Sequence, residues 1–136
     1  MPYTIGIVAG MVHQEITDAM LETAKKVFAE ARATLGSVVV VPGSYEAPLA
    51  ADEMLEDPAV DGVVVLGAIE KGETLDGEVM GHVVNRALMD LQLKHRKPIG
   101  FGIIGPGATP KQMHERKIRK AEDAARAVLA VLARKD

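Results

Sequence analysis

The stretch Gly62-Val63-Val64-Val65-Leu66-Gly67-Ala68-Ile69-Glu70-Lys71-Gly72-Glu73-Thr74 passes from a continuous apolar run into a polar, glycine-bearing loop. The same format recurs where Val38–Val41 runs into Pro42–Pro48 and where Ile99–Ile104 runs into Gly105–Gly107. Buried parallel strands have this continuous apolar character, and ligands of open α/β sheets bind outside the carboxyl ends of such strands. The three loops are therefore predicted to form the functional edge of the protein.

Outward from these runs, the chain alternates between strand-like and helix-like segments. The predicted strands are Thr4–Ala9, Ser37–Val41, Gly62–Leu66 and Ile99–Ile104, and the predicted helices are Gln14–Leu35, Ala47–Leu55, Asp76–Leu93 and a last one that Thr109 caps. Helical spacing predicts that Leu49, Val79, Val83 and Ile118 face inward. Four βα units in succession predict an α/β fold, a three-layer αβα sandwich around a four-stranded parallel sheet. Residues 1–136 are expected to form one domain.

The composition limits the possible classes of function. The chain has 136 residues, 48% of them hydrophobic and 26% charged, and it has no cysteine. Thiolate catalysis, disulfides and thiolate metal sites are thus excluded, and a net charge of -3 argues against general nucleic-acid binding. No stretch is long and apolar enough for a membrane helix. The start of the chain lacks a signal-peptide layout, so a cytoplasmic location is expected.

The loop around Gly72 is the best candidate for binding an anion. Gly72 lets a ligand approach the backbone, and the N–H groups of Glu73 and Thr74 precede a predicted helix, whose start attracts phosphate. An ordinary βα turn remains the alternative reading. The nearby acids, Glu70 and Asp76 among them, match no cation-binding loop, so no metal is expected. Of the histidines, only His13 directly follows a predicted strand.

Three motifs, in order and at matching intervals, resemble the 6,7-dimethyl-8-ribityllumazine synthase family. Val41–Ala50 is similar to the family's Val-Pro-Gly-x-aromatic-Glu-x-Pro segment, and Leu66–Thr74 is similar to its phosphate loop. Phe101–Thr109 and the later Glu115-Arg116 resemble the archaeal branch especially. The resemblance covers nearly the whole chain and implies a flavodoxin-like fold.

The resemblance also implies a reaction and its residues. It predicts a transferase of riboflavin biosynthesis that condenses 5-amino-6-(D-ribitylamino)uracil with 3,4-dihydroxy-2-butanone 4-phosphate, without metal or organic cofactor. It implies a site between subunits of a homopentamer, or of an icosahedral 60-mer of pentamers, with Phe101 and Arg116 supplied by the neighbouring subunit. Other residues assigned to substrate by position are Ser44, Tyr45, Glu46, Ala68 and Ile69 for the ribitylaminouracil, and Gly72, Glu73 and Thr74, with Arg116, for the phosphate.

Two positions depart from the family pattern. Val12 and His13 stand where the family has an aromatic residue, which stacks on the pyrimidine, followed by Asn or His. Asp76 stands where the family has its acid/base histidine. An aspartate accepts a proton near neutral pH, but it donates one only where its surroundings favour the protonated form. Orienting two reactants can by itself supply much of a rate enhancement. A working but slower lumazine synthase is therefore predicted, with Asp76 and Arg116 as its catalytic residues.

Two alternatives remain open on the sequence. The first is an archaeal-type riboflavin synthase, to which the Gly72 loop and Glu46 fit less well. The second is a shell or flavin-precursor-binding paralogue with impaired catalysis, which the residues at positions 12 and 76 motivate.

Overall fold

The computed structural model describes residues 2–135 and contains four strands that alternate with four α-helices. The strands are β1 (Thr4–Gly10), β2 (Thr34–Val41), β3 (Gly62–Glu70) and β4 (Ile99–Ala108). The helices are α1 (Gln14–Glu30), α2 (Ala47–Glu56), α3 (Asp76–His95) and α4 (Pro110–Ala133), with a short 3-10 turn at Ser44–Glu46. Within the described residues, no helix is both long enough and apolar enough to cross a membrane.

The strands form one parallel sheet in the order β2-β1-β3-β4. Helices α1 and α4 pack together on one face, and α2 and α3 pack together on the other. The predicted three-layer αβα architecture is therefore confirmed. The order of the strands also explains why β1 and β3 are buried along almost their whole length, since each has a neighbour on both sides and helices above and below.

The start of α4 forms as its sequence predicts. Thr109 Oγ1 accepts a hydrogen bond from the Gln112 backbone N–H at 3.2 Å, and Gln112 Oε1 accepts one from the Thr109 N–H at 3.0 Å. Pro110 occupies the first turn, where no N–H partner is needed. This reciprocal capping satisfies two helix-end donors and sets the point at which β4 turns into α4.

The predicted end of α1 is wrong. The helix stops at Glu30, not Leu35, and Arg32 adopts a left-handed conformation with φ 59° that turns the chain. β2 then begins at Thr34, because Thr34 and Leu35 pair with Thr4 and Ile5 of β1. Hydrogen bonding to the neighbouring strand outweighs the helical spacing of Leu35.

The predicted inward faces of several segments are also wrong. Val79 and Val83 of α3 are each 52% exposed, and Leu49 and Ile118 are exposed as well. β2 lies at an edge of the sheet, so Val39 and Val40 are exposed although they belong to a continuous apolar run. Strands β3 and β4 are longer than predicted, because their pairing continues to Glu70 and Ala108. Gly67–Glu70 and Gly105–Gly107 thus belong to strands, not loops.

Candidate active site

The carboxyl ends of the four parallel strands lie along one edge of the sheet. Residues 11–13 follow β1, residues 42–46 follow β2, and residues 71–75 follow β3. Because β1 lies between β2 and β3, the first two loops are neighbours and the third comes next along the edge. The loops therefore lie along one edge as predicted, and their order is set by the order of the strands in the sheet rather than by the order of the sequence.

The loops after β1 and β2 meet around Gly43. A β-carbon placed on Gly43 would lie 3.5 Å from Glu46 Oε1 and 3.8 Å from Val12 Cγ2, so these two side chains border the same small space. The Met11 N–H donates to the Val41 carbonyl at 2.8 Å and ties the two loops together. Val12 is 54% exposed at this edge, and Tyr45 is 53% exposed. An apolar wall and a carboxylate therefore face solvent side by side.

His13 has a backbone role at the start of α1. It adopts a left-handed conformation with φ 58°, and its carbonyl accepts hydrogen bonds from Ile16 and Thr17. Its side chain makes no capping hydrogen bond and is half-buried beside exposed Val12. The imidazole of His13 therefore lies at this edge of the sheet and does not cap α1.

The end of β3 offers backbone groups to this space. Pairing of β3 with β1 ends at Leu66, while β3 itself continues to Glu70. Ser44 is buried, and its Oγ lies 3.6 Å from the position that a β-carbon on Gly67 would take. The side chains of Ala68 and Ile69 are buried in the two cores. Any ligand contact at Ala68 or Ile69 would therefore be made by the backbone beyond the last β1 pair.

The loop after β3 borders a cleft of about 380 Å³. Gly72 and Thr74 line it, and a β-carbon on Gly72 would meet nothing closer than the Thr74 nitrogen at 4.0 Å. Three carboxylates, those of Glu70, Glu73 and Glu78, line it together with one cation, Lys71. Backbone N–H groups at a helix start attract phosphate, but the side chains of this single chain give the cleft a negative balance.

The loop is held in place by close packing between α3 and the end of β4. A β-carbon on Gly81 would come within 2.6 Å of the Pro106 ring, so only glycine lets the helix approach so closely. Gly105 has φ +93°, and a side chain there would collide with the Ile69 carbonyl. These contacts fix where α3 begins relative to β3 and β4.

Asp76 is the first residue of α3 and is exposed. Its N–H donates to Thr74 Oγ1 at 3.3 Å, so its backbone helps to close the loop. His82 lies further along α3, with its Nε2 3.9 Å from Glu78 Oε1, and borders a cleft of about 220 Å³ that shares Glu78 and Gly107 with the Gly72 cleft. Asp76 adjoins the Gly72 loop directly, whereas His82 lies beyond Glu78.

Phe101 and Arg116 lie away from the loops within one chain. Phe101 pairs with Val65 near the start of β4 and packs, half-buried, on the face of α2 and α3. Arg116 is exposed on α4, on the opposite face of the sheet from α3, and does not line the Gly72 cleft. Among residues 2–135, no group of three or more His, Cys, Asp or Glu is arranged to hold a metal ion.

The strand order and the helices on both faces define a flavodoxin-like α/β fold, with its loops gathered at the carboxyl ends of the strands. A family model described as 6,7-dimethyl-8-ribityllumazine synthase matches residues 2–136. The chain therefore belongs to the 6,7-dimethyl-8-ribityllumazine synthase family, whose members are transferases of riboflavin biosynthesis.

Archaeal proteins named 6,7-dimethyl-8-ribityllumazine synthase are similar over most of the chain. The protein of Staphylothermus marinus is 42% identical over 133 residues, which cover 96% of this chain and 84% of that protein. The protein of Metallosphaera sedula is 43% identical over 112 residues, covering 82% and 74%. The protein of Saccharolobus islandicus is 38% identical over 129 residues, covering 94% and 81%.

Proposed function

We propose that this protein condenses 5-amino-6-(D-ribitylamino)uracil with 3,4-dihydroxy-2-butanone 4-phosphate, releasing phosphate and water. The observation that carries the proposal is the convergence of Val12, Gly43 and Glu46 beside Ser44 and the part of β3 that extends beyond its last pair with β1. Membership of the family supports the choice of reaction. The proposed reaction requires no metal or organic cofactor.

The ribitylaminouracil is assigned to the space around Gly43. Glu46 is exposed beside it and can accept hydrogen bonds from ribityl hydroxyls. Val12, His13 and Tyr45 supply its walls, Ser44 supplies a hydroxyl, and the backbone of Ala68 and Ile69 pairs with the polar edge of the pyrimidine. Because Val12 is smaller than an aromatic ring, it covers less of the pyrimidine face.

The butanone phosphate is assigned to the Gly72 cleft. The N–H groups of Glu73 and Thr74 stand at the start of α3, where the helix dipole favours an anion. The acidic lining of the cleft requires extra positive charge, and Arg116 of a neighbouring subunit is proposed to supply it through a bidentate pairing with phosphate. Phe101 of the same neighbour is proposed to border the site.

Asp76 is proposed as the base that moves protons during condensation. It lies at the junction of the Gly72 loop and α3, beside the proposed phosphate site. Proton transfer by a positioned side chain typically contributes about 10²–10⁴-fold. Orientation of the two substrates by the loops is expected to supply the remainder of the rate enhancement.

A homopentamer, alone or as part of a 60-mer, belongs to the proposal. Its support is the row of exposed apolar side chains that begins just before α3 and continues along it, which a monomer would leave in water: Leu75, Val79, Val83 and Met89. Sedimentation should give particles built from five 14.5-kDa chains. A monomer under assay conditions would contradict the shared site. A cytoplasmic location stays a prediction of the sequence.

The test is to mix both substrates with the protein and to follow the lumazine absorbance against a protein-free control. A rate above the control, abolished or strongly reduced by Glu46→Ala, is expected. Lumazine given alone should yield no riboflavin, which separates this function from that of a riboflavin synthase.

A second candidate function is a flavin-precursor-binding paralogue with impaired catalysis. The observation that favours it is the exposed Val12 at the position where the resemblance implies a stacking aromatic. Saturable binding of the ribitylaminouracil with no product above the protein-free control would favour this candidate over the synthase.

A further inference from the structure

A second cleft lies at the opposite edge of the sheet from the proposed active site. It has a volume of about 530 Å³ and lies where α3 and α4 end and β4 begins. Arg96 and Lys97 contribute from the end of α3, and Arg134 and Lys135 from the end of α4. We refer to it as the amino-edge cleft.

All ionisable side chains that line this cleft among residues 2–135 are cations. Arg96 and Lys135 make no hydrogen bond or ion pair through their side chains within those residues, and Arg134 makes only a long contact of 3.4 Å to the Val131 carbonyl. Four cationic residues therefore line one concave surface in a protein whose net charge is -3, and of these Lys97 has its ammonium hydrogen-bonded to backbone carbonyls. Such a surface attracts anions, and its walls focus the field.

The frame of the cleft is tied down by hydrogen bonds. Lys97 Nζ donates to the carbonyls of Leu55 and Asp57 at 2.8 and 2.9 Å. Gln92 Oε1 accepts from the Ile99 N–H at 2.8 Å and joins the last turns of α3 to the start of β4. Arg96 has a left-handed conformation with φ 55°, which ends the helix at the mouth of the cleft. These contacts, all within one chain, hold the walls of the cleft in place.

Cations near helix carboxyl ends also complement the helix dipole. In α3 that task already belongs to Lys94 and His95 in the last turn, which both contact Asp52 of α2. The cations of the amino-edge cleft instead surround an apolar floor made by Leu93, Pro98 and Val131. If these cations only complemented the helix dipoles, they would not need to line a common cleft or to surround apolar side chains.

We propose that the amino-edge cleft binds a phosphorylated small molecule with an apolar or aromatic part. The guanidinium groups of Arg96 and Arg134 would take the phosphate oxygens, since their planar donors match phosphate. The apolar part would lie on Leu93, Pro98 and Val131. The volume suits a ligand up to the size of a nucleotide. This site is separate from the proposed reaction, which uses the other edge.

Titration calorimetry with phenyl phosphate and with inorganic phosphate tests the proposal on the full chain. Phenyl phosphate is expected to bind about fivefold more tightly than inorganic phosphate, because its ring covers the apolar floor. The double variant Arg96→Gln/Arg134→Gln is expected to weaken phenyl phosphate about tenfold or more through lost charge-assisted hydrogen bonds. Lys135→Glu, a single change at an exposed position, should weaken it in the same direction.

The matched control is Arg86→Gln/Arg126→Gln, which removes two cations from the same two helices outside the cleft. Both are exposed and paired within their helices, with Asp90 and Glu122. This control should change phenyl phosphate binding less than twofold. Arg116→Gln distinguishes binding at the two sites, since it should leave phenyl phosphate binding at the amino-edge cleft unchanged.

Several results would overturn the proposal. Equal affinity for phenyl phosphate and inorganic phosphate would mean that the apolar floor does not contribute to binding. Unchanged binding in both Arg96→Gln/Arg134→Gln and Lys135→Glu, or binding lost in Arg116→Gln instead, would place the anion elsewhere. Saturable binding of RNA or an acidic peptide, with none of phenyl phosphate, would assign the cleft to a macromolecule. Lumazine formation by Arg96→Gln/Arg134→Gln is expected to match wild type, so failure of this proposal leaves the proposed reaction untouched.

Discussion

At the carboxyl edge, the cleft beside Gly72 is lined by three carboxylates and one cation, whereas the amino-edge cleft is lined by four cations and, among residues 2–135, by no acid. The cleft beside Gly72, which is assigned to a phosphate substrate, therefore has side chains whose net negative charge repels phosphate. Under the proposed shared site, the net charge of a cleft within one chain does not identify the active site, because a neighbouring subunit supplies the missing cation. A site that is complete within one chain must contain its own cations.

The strongest test of this comparison is Arg116→Gln. Loss of a bidentate, charge-assisted pair is expected to lower kcat/KM for the butanone phosphate by about 10²–10⁴-fold, because Lys71 is then left to offset the three carboxylates of the cleft lining. Steady-state kinetics with varied butanone phosphate measure it. Arg119→Gln is the control, since Arg119 is exposed on the same helix and pairs with Asp123.

Mixed assemblies decide whether Arg116 acts across subunits. When Arg116→Gln chains are co-assembled with Glu46→Ala chains, some sites combine an intact Glu46 with an intact Arg116 from the neighbour. Activity should then exceed that of either variant alone. Activity no higher than the sum of the separate variants would mean that Arg116 does not serve a neighbouring site.

The next largest effect is expected for Asp76→His. A histidine at the start of α3 can both accept and donate a proton near neutral pH, so turnover should rise by about 10²-fold. Asp76→Asn should lower turnover, since the amide cannot take a proton. An Asp76→His variant no faster than wild type would count against a missing proton shuttle.

A smaller effect is expected from reducing the negative charge of the Gly72 cleft. Glu70→Gln/Glu78→Gln should lower KM for the butanone phosphate by about two- to tenfold, since each exposed charge near a ligand is worth roughly 0.2–1 kcal/mol. The gain should shrink at high salt. Asp18→Asn/Glu22→Gln, an equal change of charge on α1, is the control. A raised KM would mean that these carboxylates help to bind substrate.

The smallest effect concerns Asp52, which joins α2 to the end of α3 near the amino-edge cleft. A hydrogen bond from His95 at 2.7 Å lowers the pKa of Asp52 from its ordinary value of 3.8, and Lys94 adds to this. A carboxyl group with a lowered pKa stabilises the fold above pH 3.8, and this contribution is lost as the pH falls through the folded-state pKa.

Asp52→Asn is therefore expected to cost at most about 1 kcal/mol at neutral pH, because the pair is partly exposed. Thermal unfolding at several pH values should show the difference from wild type shrinking below pH 3.8. Asp90→Asn, in an exposed pair with Arg86, is the control and should show a smaller difference. A difference that persists at low pH would assign the effect to packing.

Local sequence patterns predicted the order of the strands and helices correctly. They gave wrong helix ends and wrong burial where these depend on pairing between segments that are distant in sequence. The capping box at Thr109 depends on residues three positions apart, so it could be read directly. The end of α1 could not, because Leu35 fits a helix locally and pairs with β1 only in the folded sheet. Exposure of Val39 and Val83 depends on which strand is at the edge and which helix face lacks a neighbour.

The candidate site divides in the same way. The sequence predicts loops at Pro42–Pro48 and Gly67–Thr74, but which loops are neighbours depends on the strand order, and β3 continues to Glu70. The amino-edge cleft was missed, because Arg96 and Arg134 lie far apart in sequence. The available signal was a pair of adjacent cations at the end of each of two helices.

The sequence by itself determined the alternation of strands and helices, the caps, and the family, since these depend on residues close together or on motifs in a set order. Tertiary structure alone decided which strands are edges, which loops meet at Gly43, and which charges share a cleft. The physical reason is that hydrophobic spacing and capping act over a few residues, whereas strand pairing and charge convergence join residues that only the folded sheet brings together.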